Sequence, residues 1–326
     1  MNIGDIADMA GVSRAAVSRY LNHGYVSKEK CERIRRVIEE TGYQPSPMAQ
    51  TLRTKKTKLI GVVLPRINSD SISSIVEGIS AVLHQAGYDM LLALTENCPE
   101  KELDFLRIFS RDRVDGVILI ATVFSKEHIE ILEEMSIPVV IVGQRLPGFS
   151  CIYHDDFSAA KVLTRHVLSR GRKRIGYIGA LMEDAAVGRG RCKGFLKAME
   201  DAGLAVPKED LLIAGFSVRS GREKAAELLA ADPGIDAVIC ATDSIALGAM
   251  QCICERNLKI PEDIALAGFG DNLLASVTTP GITTIHFQYR RSGEEAADRI
   301  LLLLGSKDAG AEETRLSFEL VVRGSA

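Results

Sequence analysis

The stretch IGDIADMAGVSRAAVSRYLN, residues 3–22, sets the class of the protein. Ile3, Ile6, Ala7 and Ala10 recur at helical spacing. Gly11 ends that helix, because glycine readily takes the left-handed conformation a sharp turn requires. Ser13 is placed as the N-cap of a second helix, in which Val17, Tyr20 and Leu21 supply the apolar positions. Helix, glycine turn and capped short helix together predict a helix-turn-helix. The second helix presents Arg14, Ala15, Ser18 and Arg19 near its N-terminal end, the part a recognition helix shows to base edges in the major groove. Arginine binds guanine O6 and N7 in bidentate fashion, while serine and backbone N–H groups suit phosphates. A third helix, about 28–41, carries Ile34, Val37 and Ile38 on one face and stops at Gly42. Three such helices in ~45 residues have the size of a DNA-reading module.

Charge agrees. Residues 1–58 hold 11 lysines and arginines against 6 acids, a net of +5, whereas the remainder holds 29 against 37, a net of −8. A basic head on an acidic body predicts that the head meets a polyanion. At 326 residues, a small domain plus a large one is expected. Hydrophobic residues at 46% and charged residues at 25% exclude a disordered or collagenous chain. No apolar run reaches the ~18 residues a membrane span needs. Met1–Ala10 lacks the basic-then-apolar pattern of a signal peptide, so a cytoplasmic location without membrane contact is expected. The seven cysteines have no zinc-type or redox-type spacing and predict reduced, mostly buried thiols.

The run DIADMAGVSRAAVSRYLN (5–22), then Val26-Ser27, then GYQPSPMAQTLRT (42–54), resembles the lactose-repressor (LacI/GalR) family, and the resemblance continues through the chain. It implies that Arg14 and Ala15 set the operator sequence and that Arg19 is the later recognition-helix arginine. It also implies a hinge helix after GYQP that folds on DNA and wedges Leu52 into the minor groove. The local chemistry suits such a helix. Ser46 is placed to cap it, Pro47 falls at the first helical position, and Met48, Ala49 and Leu52 make a small apolar face.

From Leu59 the pattern becomes apolar run, helix, apolar run. Candidate strands are 59–64, 89–94, 116–121, 138–142, 174–179, 236–240 and 264–268, and helical stretches separate them. Continuous apolar strands alternating with helices predict parallel sheets covered on both faces. The fold class is therefore α/β: an all-α helix-turn-helix head followed by two doubly wound parallel sheets. The resemblance implies type I periplasmic-binding-protein-like lobes. The expected domains are 1–45 for the head, 46–58 for the hinge helix and linker, and 59–326 for the effector and dimerisation body. Within the body the expected N-lobe is 59–157 plus 288–313, and the C-lobe is 158–287 plus 314–326.

Ligands in such folds lie beyond the carboxyl ends of strands, which directs attention to the loops there. Arg66, Asn68, Ser69 and Ser71 follow the first strand, just before a helix N-terminus, a favourable place for an anion or sugar hydroxyls. Ser69 or Asp70 serves equally well as an ordinary helix cap. Gln144 follows the strand 138–142. The resemblance places a sugar-contacting arginine at Arg191 and an effector-bonding side chain at Thr242. Asp243 beside it is as readily an N-cap. Many members carry an effector-gripping aspartate after the strand 264–268; here Gly270 takes that place and the acid follows at Asp271. Gly270, with PRINSDS (65–71), VGQ (142–144), HDD (154–156) and CATDSIALGA (240–249), resembles the trehalose-repressor branch. That branch implies a disaccharide or its 6-phosphate as effector, of trehalose or sucrose type. Arg66 would then be the phosphate partner, since guanidinium matches phosphate oxygens bidentately.

An enzyme is the first competitor. Gly188-x-Gly190-x-x-x-Gly194 is one residue too long for a dinucleotide fingerprint and does not follow a strand directly. No P-loop and no nucleophile elbow is present. His154-Asp155-Asp156 precedes a helix, where the acids complement its dipole better than they would ligate a metal. The other histidines, including His128 and His286, read as structural or surface groups. No cofactor is expected. A cytoplasmic sugar-binding module without DNA regulation is the second competitor, and the basic head argues against it. The resulting expectation is a homodimeric repressor of carbohydrate-use genes, bound to near-palindromic double-stranded operator DNA and released by a small sugar.

Overall fold

Asn2, Gly11 and Ser13 shape the N-terminal unit. The structure is a computed structural model that describes residues 1–22, 24–43, 56–111, 114–306 and 308–326. It divides into two units, Met1–Thr57 and Lys58–Ala326. In the first, the Asn2 side chain accepts the Gly4 N–H at 2.7 Å and the Asp5 carboxylate accepts the Asn2 N–H at 2.7 Å, a capping box that starts α1 (Ile3–Ala10). Gly11, at φ 61°, closes it. Ser13 Oγ accepts the Ala16 N–H at 3.2 Å and opens α2 (Arg14–Leu21). α3 (Lys28–Thr41) ends at left-handed Gly42. Ile6, Ala7, Ala10, Val17, Ile34 and Val37 meet in one small core, with Tyr20, Leu21 and Ile38 packed around it.

The second unit holds two sheets. The first is built from β1 (Leu59–Leu64), β2 (Asp89–Leu94), β3 (Gly116–Ile120), β4 (Val139–Val142), β5 (Ser150–His154) and β11 (Glu313–Leu316), in the order β11-β5-β4-β3-β1-β2, all parallel. Its crossover helices are α4 (Asp70–Gln85), α5 (Pro99–Phe109) and α6 (Lys126–Glu134), joined later by α12 (Tyr289–Gly305). The second sheet holds β6 (Ile175–Gly179), β7 (Leu211–Ile213), β8 (Ala237–Cys240), β9 (Ala265–Phe269), β10 (Thr283–Phe287) and β12 (Phe318–Val321). Its order is β12-β10-β9-β8-β6-β7, with only β12 antiparallel. Around it lie α7 (Asp156–Ser169), α8 (Arg191–Asp201), α9 (Val218–Ala231), α10 (Asp243–Glu255) and short α11 (Leu273–Val277).

The apolar runs become strands buried on both faces. Ile60, Val62 and Leu64 of β1 face Ile79 and Ile300, whereas Val63 turns the other way, toward Leu106 and Phe109. In the second lobe Tyr177 stacks on Phe195, ring centroids 4.9 Å apart. α4 and α12 touch backbone to backbone. A Cβ on Gly78 would stand 2.1 Å from the Arg290 carbonyl oxygen, and one on Gly293 would stand 2.0 Å from that of Ile75.

The chain passes between lobes at Asp155, Gln288 and Ser317. These passages lie within a few residues of the approximate boundaries expected from the sequence. α7 begins at Asp156 and buries Ala159, Ala160 and Leu163 in the second lobe, so the first passage precedes residue 157. Thr314, Arg315 and Leu316 still pair with β5, so residues 314–316 belong to the first lobe. Strands β5, β7, β10 and β11 and helices α6, α11 and α12 had no counterpart in the sequence reading. Among the described residues no helix is long and apolar enough to cross a membrane. Cys151, Cys192, Cys240 and Cys252 are buried free thiols, while Cys254 is exposed.

Candidate functional site

The head exposes one short surface. Ala16 and Val17 point into the core, which leaves Ser13, Arg14, Ala15 and Arg19 exposed and Ser18 half-buried on the other side of α2. The first N–H groups of a helix lack intrahelical partners, so this end offers backbone donors beside two arginines. Arg14 lies over the start of α1, its Nε 3.0 Å from where a Cβ of Gly4 would stand. Met48, Ala49 and Leu52, with the cap residues Ser46 and Pro47, lie outside the described residues.

The body gathers loops from both lobes. The β1–α4 loop supplies Arg66, Asn68, Ser69 and Ser71; the loop after β8 supplies Thr242 and Asp243; and these six surround a small cavity of about 60 Å³. Ser69 stands at the N-cap position of α4 without a side-chain capping bond, because its hydroxyl meets that of Ser71 at 2.9 Å. Thr242 caps α10, its Oγ1 accepting the Ile245 N–H at 3.3 Å. A wider cleft of about 1040 Å³ adjoins along Arg66, Asn68 and Phe216.

Two contacts tie the lobes across this cleft. The Arg66 guanidinium sits 4.1 Å over the Phe216 ring. Burial draws the Arg66 pKa below its ordinary value, against the opposing pull of Asp184 and Tyr289. Gln144 Nε2 donates to the Thr122 carbonyl at 2.7 Å and to Asp184 Oδ1 at 2.9 Å. Asp184 Oδ1 also accepts the N–H groups of Ala186 and Val187. Burial pushes the Asp184 pKa up, and the Val187 N–H and Arg191 oppose it.

Arg191 lies behind these walls rather than in them. It is 4% exposed. Its Nε donates to Asp156 Oδ1 at 2.7 Å and its Nη1 to the Ala241 carbonyl at 2.6 Å. Phe269 and Phe287 flank the guanidinium at 4.8 and 4.9 Å. Burial works against its charge, but Asp156 outweighs that and holds the pKa above its ordinary value.

Asp243 is braced internally. Its Oδ1 accepts from Thr284 Oγ1 at 2.7 Å and its Oδ2 from the Asn272 N–H at 2.9 Å, while burial raises its pKa to about 6. Asp271, which follows the place of the family's effector-gripping acid, does not line the small cavity but an adjoining pocket with Ser71 and Tyr289. At φ 52° it directs its carboxylate to His286 Nδ1, at 3.0 Å, and to Arg323, away from the small cavity. Gly270 and Asn272 line that cavity in its place. The HDD run is likewise divided. Asp155 caps α7, Asp156 pairs with Arg191, and His154 is wedged against Phe287 and Tyr289, with burial lowering its pKa to about 4.

The sequence reading missed Phe216, Tyr289, Asn272 and Asp184. Phe216 follows a three-residue strand too short to register, and Tyr289 follows a strand whose alternation is polar. It also missed Glu102, which lines the wide cleft with His128; of the two readings given for His128, structural or surface, its 1% exposure fits the structural one.

Comparison with known proteins identifies the whole. Residues 2–46 match the lacI family of bacterial regulatory proteins, and residues 164–326 match the periplasmic binding protein-like domain. The chain is 33% identical over 299 residues to the sucrose operon repressor of Staphylococcus xylosus, covering 92% of each. It is 30% identical over 327 residues to the HTH-type transcriptional repressor PurR of Mannheimia succiniciproducens, covering 99% of this chain and 98% of that one. Its fold matches the lac repressor dimer bound to operator and the anti-inducer ONPF, with a TM-score of 0.91 at 24% identity, over 100% of this chain and 98% of that one. These relatives are regulators rather than enzymes. With its helix-turn-helix head and two-lobed α/β body, the chain belongs to the lacI family of bacterial regulatory proteins and is a DNA-binding transcriptional regulator.

Proposed function

We propose that this chain is a sugar-responsive repressor that binds near-palindromic operator DNA as a homodimer and holds its effector between the two lobes. The observation that carries the reading is the interlobe gathering of Arg66, Asn68, Ser69 and Ser71 from one lobe with Phe216 and Thr242 from the other. An aromatic plate beside a few convergent polar groups suits a sugar, which offers apolar ring faces and hydroxyls. Arg66, Asn68, Ser69, Ser71 and Thr242 are the proposed contacts. Gln144 holds the lobes together through Asp184, and Arg191 positions the wall behind Phe269 and Phe287. At the head, Ser13, Arg14, Ala15, Ser18 and Arg19 are the proposed operator contacts, with Met48, Ala49 and Leu52 of the hinge segment. Two apolar surfaces suit a second copy: Ile67, Met90 and Leu92 on the first lobe, and Leu273, Leu274 and Val277 on the second, with Leu273 72% exposed.

A sugar shifts operator occupancy only by its differential affinity for the two lobe arrangements, and coupling of ~1–3 kcal/mol is typical. Operators selected from random duplexes should be two-fold symmetric. Affinity should fall steeply with salt, and a disaccharide should release the full-length protein from the selected duplex. Binding that ignores every disaccharide would sink the effector assignment. An asymmetric selected site would sink the dimer assignment.

A further inference from the structure

Resting on the proposed sugar site, we infer that the effector is an uncharged sugar rather than a sugar phosphate, and that Glu102 and His128 together hold one of its hydroxyls. The wide cleft carries the charge argument. Glu96, Glu102, Glu183 and Asp184 line it, and Arg66 is the one arginine or lysine among its described lining residues. That arginine is already engaged by the Phe216 ring and lies within the field of Asp184. Lys101 pairs with Glu96 and burial pushes the Glu102 carboxyl up to about 7, so a phosphate dianion entering here meets chiefly Glu183 and Asp184, with Arg66 the one cation of the described lining to offset them, which is how a site rejects a ligand of the wrong sign.

The hydroxyl argument rests on two unpartnered atoms. Glu102 of α5 is 4% exposed and His128 of α6 is 1% exposed. Glu102 Oε1 and His128 Nε2 face each other at 3.4 Å, and neither makes a hydrogen bond among the described residues. Leaving such atoms buried and unsatisfied is costly. The His128 tautomer follows from its neighbour. The Ser125 N–H points at Nδ1 from 3.3 Å, so Nδ1 accepts and the ring proton resides on Nε2. A donor on Nε2 and an acceptor on Oε1 therefore lie side by side, buried just beneath the cleft wall that both residues help to form. A hydroxyl satisfies both, accepting from Nε2–H and donating to Oε1, whereas an ionised phosphate oxygen only accepts. Burial also pushes the Glu102 carboxyl up to about 7, in keeping with a group that lacks solvent and awaits a donor. The volume of about 1040 Å³ leaves room for more than one sugar ring.

Titration calorimetry of the full chain with sucrose, trehalose and maltose, and with their 6-phosphates, tests both parts. At least one neutral disaccharide should bind about tenfold or more tightly than its own 6-phosphate. Glu102→Ala should weaken that sugar by about tenfold or more. Glu102→Gln, which keeps the side-chain volume and an acceptor, should weaken it by a smaller factor and guards against a misfolded alanine variant. Glu183→Lys, which adds a cation at the exposed rim, should narrow the gap between a sugar and its phosphate. Tighter binding of a 6-phosphate overturns the charge inference and leaves the sugar site standing. Undiminished binding in both Glu102 variants overturns the hydroxyl role. No heat from any of the six sugars overturns the sugar reading itself, and the inference with it.

Discussion

Arg14 in the head and Arg191 in the second lobe show two ways an arginine serves recognition. Arg14 stands exposed at the first turn of α2, on a surface held up by Ala16 and Val17 beneath it. Arg191 is enclosed, bonded to Asp156 and the Ala241 carbonyl, with two phenylalanine rings at its flanks. The head surface depends on a few adjacent residues and their caps. The effector site depends on segments as far apart in the chain as Arg66 and Tyr289. Substitutions of exposed side chains on the first should therefore change what is bound with little cost to the fold beyond that of a lost cap, whereas those on the second should change the fold along with the binding.

The sharpest test is Arg191→Met. It leaves Asp156 buried without its partner, which should cost the body about 3–5 kcal/mol in urea unfolding. A loss below about 1 kcal/mol would remove the contrast, because Arg191 would then be dispensable to the fold. Next is the pH dependence of Glu102→Gln. The carboxyl is held at about 7 in the fold against an ordinary 4.5. The folded state thus binds the proton more tightly than the unfolded chain. The stabilisation is full below the ordinary value and lost as pH rises through about 7. The variant should gain on the parent by about 2–3 kcal/mol between pH 5 and pH 8. A difference that stays flat over that range would show that Glu102 does not titrate there. Arg14→Ala should change base preference at one operator position by about 1–3 kcal/mol and leave the melting temperature unchanged. An unaltered selected sequence would take Arg14 out of base readout. The smallest effect is Ser13→Ala. Loss of the cap on α2 should lower head stability by about 1 kcal/mol, read from the thermal unfolding of residues 1–57.

The same contrast explains what was legible in the sequence. The head could be read because its signals are local: Gly11 at φ 61°, Ser13 as a cap, and apolar residues three and four apart. The central strands were legible because LIGVVL and GVILI are continuous apolar runs. β10 and β11 were not, since Thr283, Thr284 and His286, or Glu313 and Arg315, do not look like buried strand. α12 opens with the polar run Tyr289-Arg290-Arg291-Ser292, which hid its helical face. Loop positions after strands led to Arg66, Asn68 and Thr242, but not to their partners. Asp271 falls one residue past the place the family's acid takes, and in the fold its carboxylate meets His286 and Arg323. Glu102 lies on a helix read without its buried face and His128 on one that was not read at all, so only the fold reveals that both line the cleft.

The backbone contacts made at Gly78 and at Gly293 have a mechanical consequence. Ser71 at the start of α4 and Tyr289 at the start of α12 both line the small cavity. Each lies within about two turns of the point where the helices touch. With no side chain between them, the two helices behave as one strut whose free ends form part of the effector wall. A single methyl group added at Gly293 would act as a wedge, prising that wall apart from more than a turn away without touching any residue that meets the ligand.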